Sequence, residues 1–136
     1  PNSITVEASI NSPVQKVWDF YTQPEHIVKW NNASEDWHTP NAENDLREGG
    51  RFISRMEAKD GSSGFDFSGT YNQVEENSLI KYTMDDNRKV TIEMNEKDGQ
   101  TEVKVTFDPE SENDPELQKS GWQSILDNFK SYVESN

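Results

Sequence analysis

The last patterned stretch of the chain places Trp122, Ile125, Leu126, Phe129, Tyr132 and Val133 at i, i+3, i+4, i+7, i+10 and i+11. That spacing keeps six large apolar side chains on one stripe at the α-helical period. Asp114-Pro115-Glu116 supplies the start, with a carboxylate to accept free N–H groups and a proline suited to the first helical turn. A helix of about 20 residues is about 30 Å long, enough to cross a whole sheet. Burying six such side chains, at about 1.5–3 kcal/mol each, gives a gross gain on the order of 10 kcal/mol. This is an upper bound, because the unfolded chain already hides some of that surface. It still rivals the net stability of a small domain, so removing the helix should unfold the chain. Gly121 costs about 1 kcal/mol relative to Ala inside a helix. It is expected to mark the close approach of another backbone or ring.

Upstream, the pattern is mostly that of strands. Ile4, Val6, Ala8 and Ile10 alternate with Thr5, Glu7 and Ser9, which predicts a half-buried strand. Ser12-Pro13-Val14-Gln15 reads as a helix start, with Ser12 as the cap, Pro13 in the first helical position and Gln15 completing a capping box. Val14, Val17, Trp18 and Tyr21 form the buried side of this short helix, and Pro24 opens a second helical segment from Glu25 to Trp30. Residues 31–45 are polar, aperiodic and rich in Asn, and are expected to form a loop carrying Trp37 and His38.

After Gly49-Gly50 the period becomes two. Phe52, Ser54 and Met56 share one face, as do Phe65, Phe67, Gly69 and Tyr71 in the next run. Ile80, Tyr82 and Met84 follow, then Val90, Ile92 and Met94, then Val103, Val105 and Phe107. Asp60-Gly61, Asp85 to Asn87 and Asp98-Gly99 punctuate these runs as tight turns, which force antiparallel neighbours. The sum is α+β: a strand, two short helices, five or six strands in a meander, and a long helix reached through the acidic connection Asp108 to Asp114.

Composition narrows what this fold can do. A chain of 136 residues is expected to form one domain, 1–136, and its 30% hydrophobic content implies a modest or partly hollow core. Four Trp, four Tyr and six Phe supply much of the bulk. A net charge of −13 argues against nucleic acid or anionic membranes as partners, since phosphates are repelled. Cysteine is absent, which removes disulfides and thiolate chemistry. No apolar run approaches the about 18–20 residues of a spanning helix, so a cytoplasmic location is expected, as a monomer or weak dimer. Two His and no carboxylate cluster at ligand spacing leave no expected metal site, and no cofactor motif is present. Gly49-Gly50 precedes a strand, not a helix, and is no phosphate cradle.

Several short motifs occur in order across nearly the whole chain. They are Ser12-Pro13-Val14 with Val17-Trp18, Pro24-Glu25 with Trp30, Asp45-Leu46-Arg47-Glu48-Gly49-Gly50-Arg51-Phe52, Gly69-Thr70-Tyr71, and Gly121-Trp122 followed by Leu126 and Phe129. The set resembles the helix-grip fold of the START-like (SRPBCC, Bet v 1-like) superfamily. Within it, the closest resemblance is to the family related to the C-terminal domain of the activator of Hsp90 ATPase, the AHSA1-like family. The resemblance implies a curved antiparallel sheet wrapped around the long C-terminal helix, with two short helices after the first strand. It also implies a cavity between sheet and helix that takes apolar or aromatic small molecules. It carries no shared catalytic motif.

On that frame, Trp30, Phe52, Met56, Phe67, Tyr71, Tyr82, Met84 and Trp122 are the expected ligand contacts, with the Tyr hydroxyls as polar handles. Trp37 and His38 are expected at the mouth, where His38 has the chemistry of a donor or general base. His26 is expected on the helix surface. Arg51 and Arg55 alternate with Phe52 and are expected on a solvated face among carboxylates, or, through a bulge, as an inward anion anchor. Three functions follow: a binding protein for a small hydrophobic or aromatic molecule, a cyclase- or hydrolase-like enzyme using the same cavity, and an Hsp90-type co-chaperone module.

Overall fold

Tight turns set the topology of the sheet. In the computed structural model, which describes residues 3–136, Asp98 and Gly99 both take positive φ (56° and 79°) and Lys97 pairs with Gln100 across them. This is the two-residue turn whose twist matches that of its flanking strands. This turn and longer connections of three to six residues join β2 (Trp37–Asn44), β3 (Arg51–Ala58), β4 (Gly64–Glu75), β5 (Leu79–Met84), β6 (Lys89–Lys97) and β7 (Gln100–Phe107) into an antiparallel meander. The first strand, β1 (Ile4–Ile10), pairs with β7, so the seven-stranded sheet runs β1-β7-β6-β5-β4-β3-β2. Helices α1 (Val14–Thr22) and α2 (Pro24–Trp30) span the distance from one edge strand to the other.

Strand alternation sorts the side chains as expected. Ile80, Tyr82, Met84, Val90, Ile92, Met94, Val103, Val105 and Phe107 are all buried on the concave face. Against them lies α3 (Pro115–Ser135). Its Asp114 carboxylate accepts the Glu116 N–H at 2.8 Å, and Pro115 occupies the first turn. Leu126, Phe129 and Val133 are buried, while Trp122, Ile125 and Tyr132 flank them half-buried. The helix also covers the β1 edge: Gln123 Nε2 donates to the Glu7 carbonyl at 3.0 Å, and the Asn11 N–H donates to Glu134 Oε2 at 2.8 Å. Unpaired edge groups otherwise invite pairing with another chain.

Three local expectations are corrected. Gly121 meets nothing, since a Cβ built there finds no atom within 4 Å. Its only effect is the helical cost of glycine, so Gly121→Ala should raise stability by about 1 kcal/mol, read as a higher urea midpoint. The α1 cap is also different, because the helix starts at Val14 after an extended Pro13, with no side-chain cap from its own segment. Instead Glu96, on β6, accepts the Val14 N–H through Oε1 at 2.7 Å, placing a carboxylate at the positive end of the helix. Ser12 is buried and uses its carbonyl to accept from Thr101 Oγ1 at 2.8 Å.

The third correction concerns residues 31–45. Most of this segment is strand β2, the edge of the sheet, with a register shift between His38 and Asn41. Pro40 and a polar sequence are tolerated there because an edge strand needs hydrogen bonds on one side only. Six strands therefore follow the two short helices.

Candidate functional site

A cavity of about 250 Å³ lies between the concave face of the sheet and the helices. Its floor comes from period-two positions: Phe52, Ser54 and Met56 of β3, Phe65, Phe67 and Tyr71 of β4, and Ile80 and Tyr82 of β5. Its roof is Ile27 and Trp30 of α2 with Trp122, Ile125 and Leu126 of α3. Phe65, 51% exposed, marks the mouth.

Aromatic packing fixes these walls. The Trp122 ring stacks on Phe107 (centroids 4.0 Å apart, 9° between planes) and turns its edge relationship to Phe67 at 6.2 Å. Phe52 packs against Tyr71 at 5.3 Å and Tyr82 at 4.7 Å. It can lie this low because Gly69 is its cross-strand partner. A Cβ at position 69 would come within 2.5 Å of the Thr83 carbonyl and 3.0 Å of Phe52 Cε2. Trp30 and Tyr21 both pack on Phe129, at 4.8 and 5.1 Å, which ties α1 and α2 to α3. Asn128 Nδ2 reinforces the joint by donating to the Trp30 carbonyl at 2.8 Å.

The polar groups of the cavity are few. The Tyr71 hydroxyl donates to Asn44 Oδ1 at 2.5 Å, and Asn44 Nδ2 donates to the Thr22 carbonyl at 2.5 Å, so β2 and α1 hold that phenol in place. Burial pushes the pKa of Tyr21, Tyr71 and Tyr82 above the ordinary phenol value. Tyr71 adds to the rise at Tyr21, and both add to it at Tyr82. Two effects oppose burial: the Asn44 hydrogen bond at Tyr71 and the Arg88 charge at Tyr82. All three phenols thus remain neutral O–H donors.

Of the residues singled out in the sequence, Trp30, Phe52, Met56, Phe67, Tyr71, Tyr82 and Trp122 line the cavity. Met84 does not: it lies one alternation beyond Tyr82, at the strand end, buried in the apolar core. Trp37 is also outside the lining, packed at the rim 6.1 Å from the Phe65 ring. His38 follows Trp37 on a strand and so points the other way, to the convex face. It pairs in register with Glu57, its Nε2 3.9 Å from Glu57 Oε1. His26 is not plain surface, because it stacks on Phe20 at 4.0 Å and its Nδ1 lies 2.7 Å from the Tyr132 hydroxyl.

Arg51 and Arg55 take the solvated face. Arg51 reaches Asp85 through both terminal nitrogens, at 3.0 and 2.8 Å, and with Ser68 holds the Asp85 carboxyl down to about 2. Arg55 pairs with Glu57 at 2.9 Å and Asp66 at 3.3 Å. The cation that does reach the cavity is Arg88, in the β5–β6 turn. Extending the alternation of Val90, Ile92 and Met94 back by two residues would have found it. Ser54, Phe65, Ile125 and Leu126 were legible in the same way, on faces already recognised. Among the described residues no group of three His, Cys, Asp or Glu could hold a metal ion, and no helix is long and apolar enough to cross a membrane.

A curled antiparallel sheet gripping one long C-terminal helix, with two short helices after the first strand, is the helix-grip architecture of START-like proteins. The family model described as "Activator of Hsp90 ATPase homolog 1-like protein" matches residues 11–134, and the chain belongs to that AHSA1-like family. The solution structure of the AHSA1-like protein from Aeromonas hydrophila is 47% identical, with 98% of this chain and 92% of that chain covered and a TM-score of 0.92. Chr148 from Cytophaga hutchinsonii is 51% identical over 100% of this chain and 94% of its own, with a TM-score of 0.86. CV1439 from Chromobacterium violaceum, 22% identical, covers 100% of both chains at a TM-score of 0.86 and shares the fold. No curated protein matches the chain.

Proposed function

We propose that this protein binds a small hydrophobic or aromatic molecule between the sheet and α3. The observation that carries the reading is the space itself. Close-packed interiors leave few voids larger than a water molecule. Here about 250 Å³ stays open between rings contributed by both the sheet and the helices. That is just below the about 300–1,000 Å³ of sites for drug-sized ligands, which suits a small occupant. The walls stand on regular elements, so the site is largely formed before any ligand arrives. The reading assigns no catalysis, and His38, the base an enzyme would have used, faces away from the cavity.

Thermal unfolding against a panel of small aromatics (indole, naphthalene, 2-methylnaphthalene) tests this. A ligand at about 100 times its Kd adds about 2.7 kcal/mol to the native state, a rise of several degrees in Tm. A panel that leaves Tm unmoved would overturn the proposal.

A further inference from the structure

Among the described residues the cavity has one charged residue in its lining, and that residue is a cation in a chain of net charge −13. Arg88 is held in position by its own turn. Asp86 accepts both the Arg88 backbone N–H, at 3.1 Å, and the side-chain Nε, at 2.8 Å. Occupying Nε leaves the two terminal nitrogens of the guanidinium for another acceptor, and this planar fork matches a carboxylate. Asp85, the neighbouring carboxylate, is taken up by Arg51 and Ser68 on the convex face.

Tyr82 offers an unused donor, and it is the lining phenol on which the Arg88 charge acts. Tyr82 is 6% exposed, lines the cavity, and its hydroxyl makes no hydrogen bond within the described residues. Tyr71 is already committed to Asn44. Among the described residues no Asp or Glu lines the cavity, so an ammonium ligand would find no charged partner there, whatever the overall charge of the chain. An arginine only donates, and a buried phenol kept neutral readily does so.

We infer that the occupant of the cavity is an amphipathic acid: an apolar or aromatic body under Trp122 with an anionic oxygen bound by Arg88 and the Tyr82 hydroxyl. This rests on the cavity being a binding site, and the experiment separates the two claims. Wild type, Arg88→Gln, Arg88→Lys and Tyr82→Phe are titrated by calorimetry with 2-naphthoate and with 2-methylnaphthalene, its neutral counterpart of nearly the same shape. Physiological salt screens the long-range repulsion between acid and protein. Backbone amide spectra confirm that each variant is folded.

The wild type should bind 2-naphthoate at least about tenfold more tightly than 2-methylnaphthalene, as expected for a charge-assisted pair. Arg88→Gln should remove about tenfold or more of the naphthoate affinity and leave 2-methylnaphthalene within about twofold. Arg88→Lys, which keeps the charge but not the fork, should fall between, and Tyr82→Phe should weaken naphthoate alone. Equal affinity for both probes, or naphthoate binding untouched by Arg88→Gln, would overturn this inference while the cavity reading stands. If neither probe binds, both claims fall.

Discussion

Replacing Phe129 with Ala is expected to cost about 3–5 kcal/mol, the range seen when a fully buried aromatic is truncated. Phe129 is 0% exposed and sits where three helices meet, packed on Trp30 at 4.8 Å and edge-on to Tyr21 at 5.1 Å. Set against the about 5–15 kcal/mol of a typical domain, this loss leaves the variant marginal or unfolded at room temperature. Leu117→Ala is the matched control. It lies on the same helix but is 62% exposed, and its loss should stay within about 0.5 kcal/mol. Urea unfolding of both variants gives the comparison. A Phe129→Ala cost no larger than that of Leu117→Ala would mean that α3 leans on the sheet without being part of the core.

The second large effect distinguishes a cavity from a solid core. Ser54 is buried on the concave face of β3, opposite Phe67 in the register, and its small side chain borders the open space. Ser54→Leu pushes an isobutyl group into that space. Filling a real cavity should leave stability unchanged or raise it by about 0.5–2 kcal/mol. The same substitution in a well-packed interior costs about 1–3 kcal/mol through overpacking. Binding should move the opposite way, with the Tm rise produced by 2-methylnaphthalene in the wild type lost in the variant. Thermal unfolding with and without the probe reads both effects. A destabilised variant that keeps the probe's shift would contradict the proposed position of the site.

The two variants probe parts of the molecule that differ in how plainly the sequence announces them. The α3 stripe and strands β5 to β7 were legible because each element obeys its own local period. Phe129 is buried for the reason its spacing implies, and Tyr82 is buried with Ile80 and Met84 because a strand alternates. What was not legible depends on partners far away in the chain. Strand β2 has no period of its own, contains Pro40 and shifts register between His38 and Asn41; it is a strand because β3 offers it a ladder. The α1 cap is a carboxylate 82 residues distant.

The candidate site divides in the same way. Its floor follows from period two, so Phe52, Met56, Phe67, Tyr71 and Tyr82 could be named in advance. Met84 shares their face, but alternation does not say how far along a strand the open space extends. A residue in a loop can face anywhere, whereas His38, the residue after an inward Trp37 on a strand, faces outward. Arg88 sits in what reads as a turn, and its inward direction becomes visible only when the β6 alternation is continued past the end of the strand. Gly121 is the opposite case, a costly residue inside a helix where an added side chain would meet no other element.

If α3 and the sheet enclose space for an apolar molecule instead of simply packing on one another, a bound probe touches both at once. Intermolecular nuclear Overhauser effects between 2-methylnaphthalene and the isotope-labelled protein report both contacts in one experiment. Cross-peaks are expected from the probe to Trp122 on the helix and, in the same complex, to Phe67 and Tyr82 on the sheet. Cross-peaks confined to exposed groups outside the cavity, such as Leu117 and Ile53, or none with the probe in excess, would mean that no such enclosed site exists.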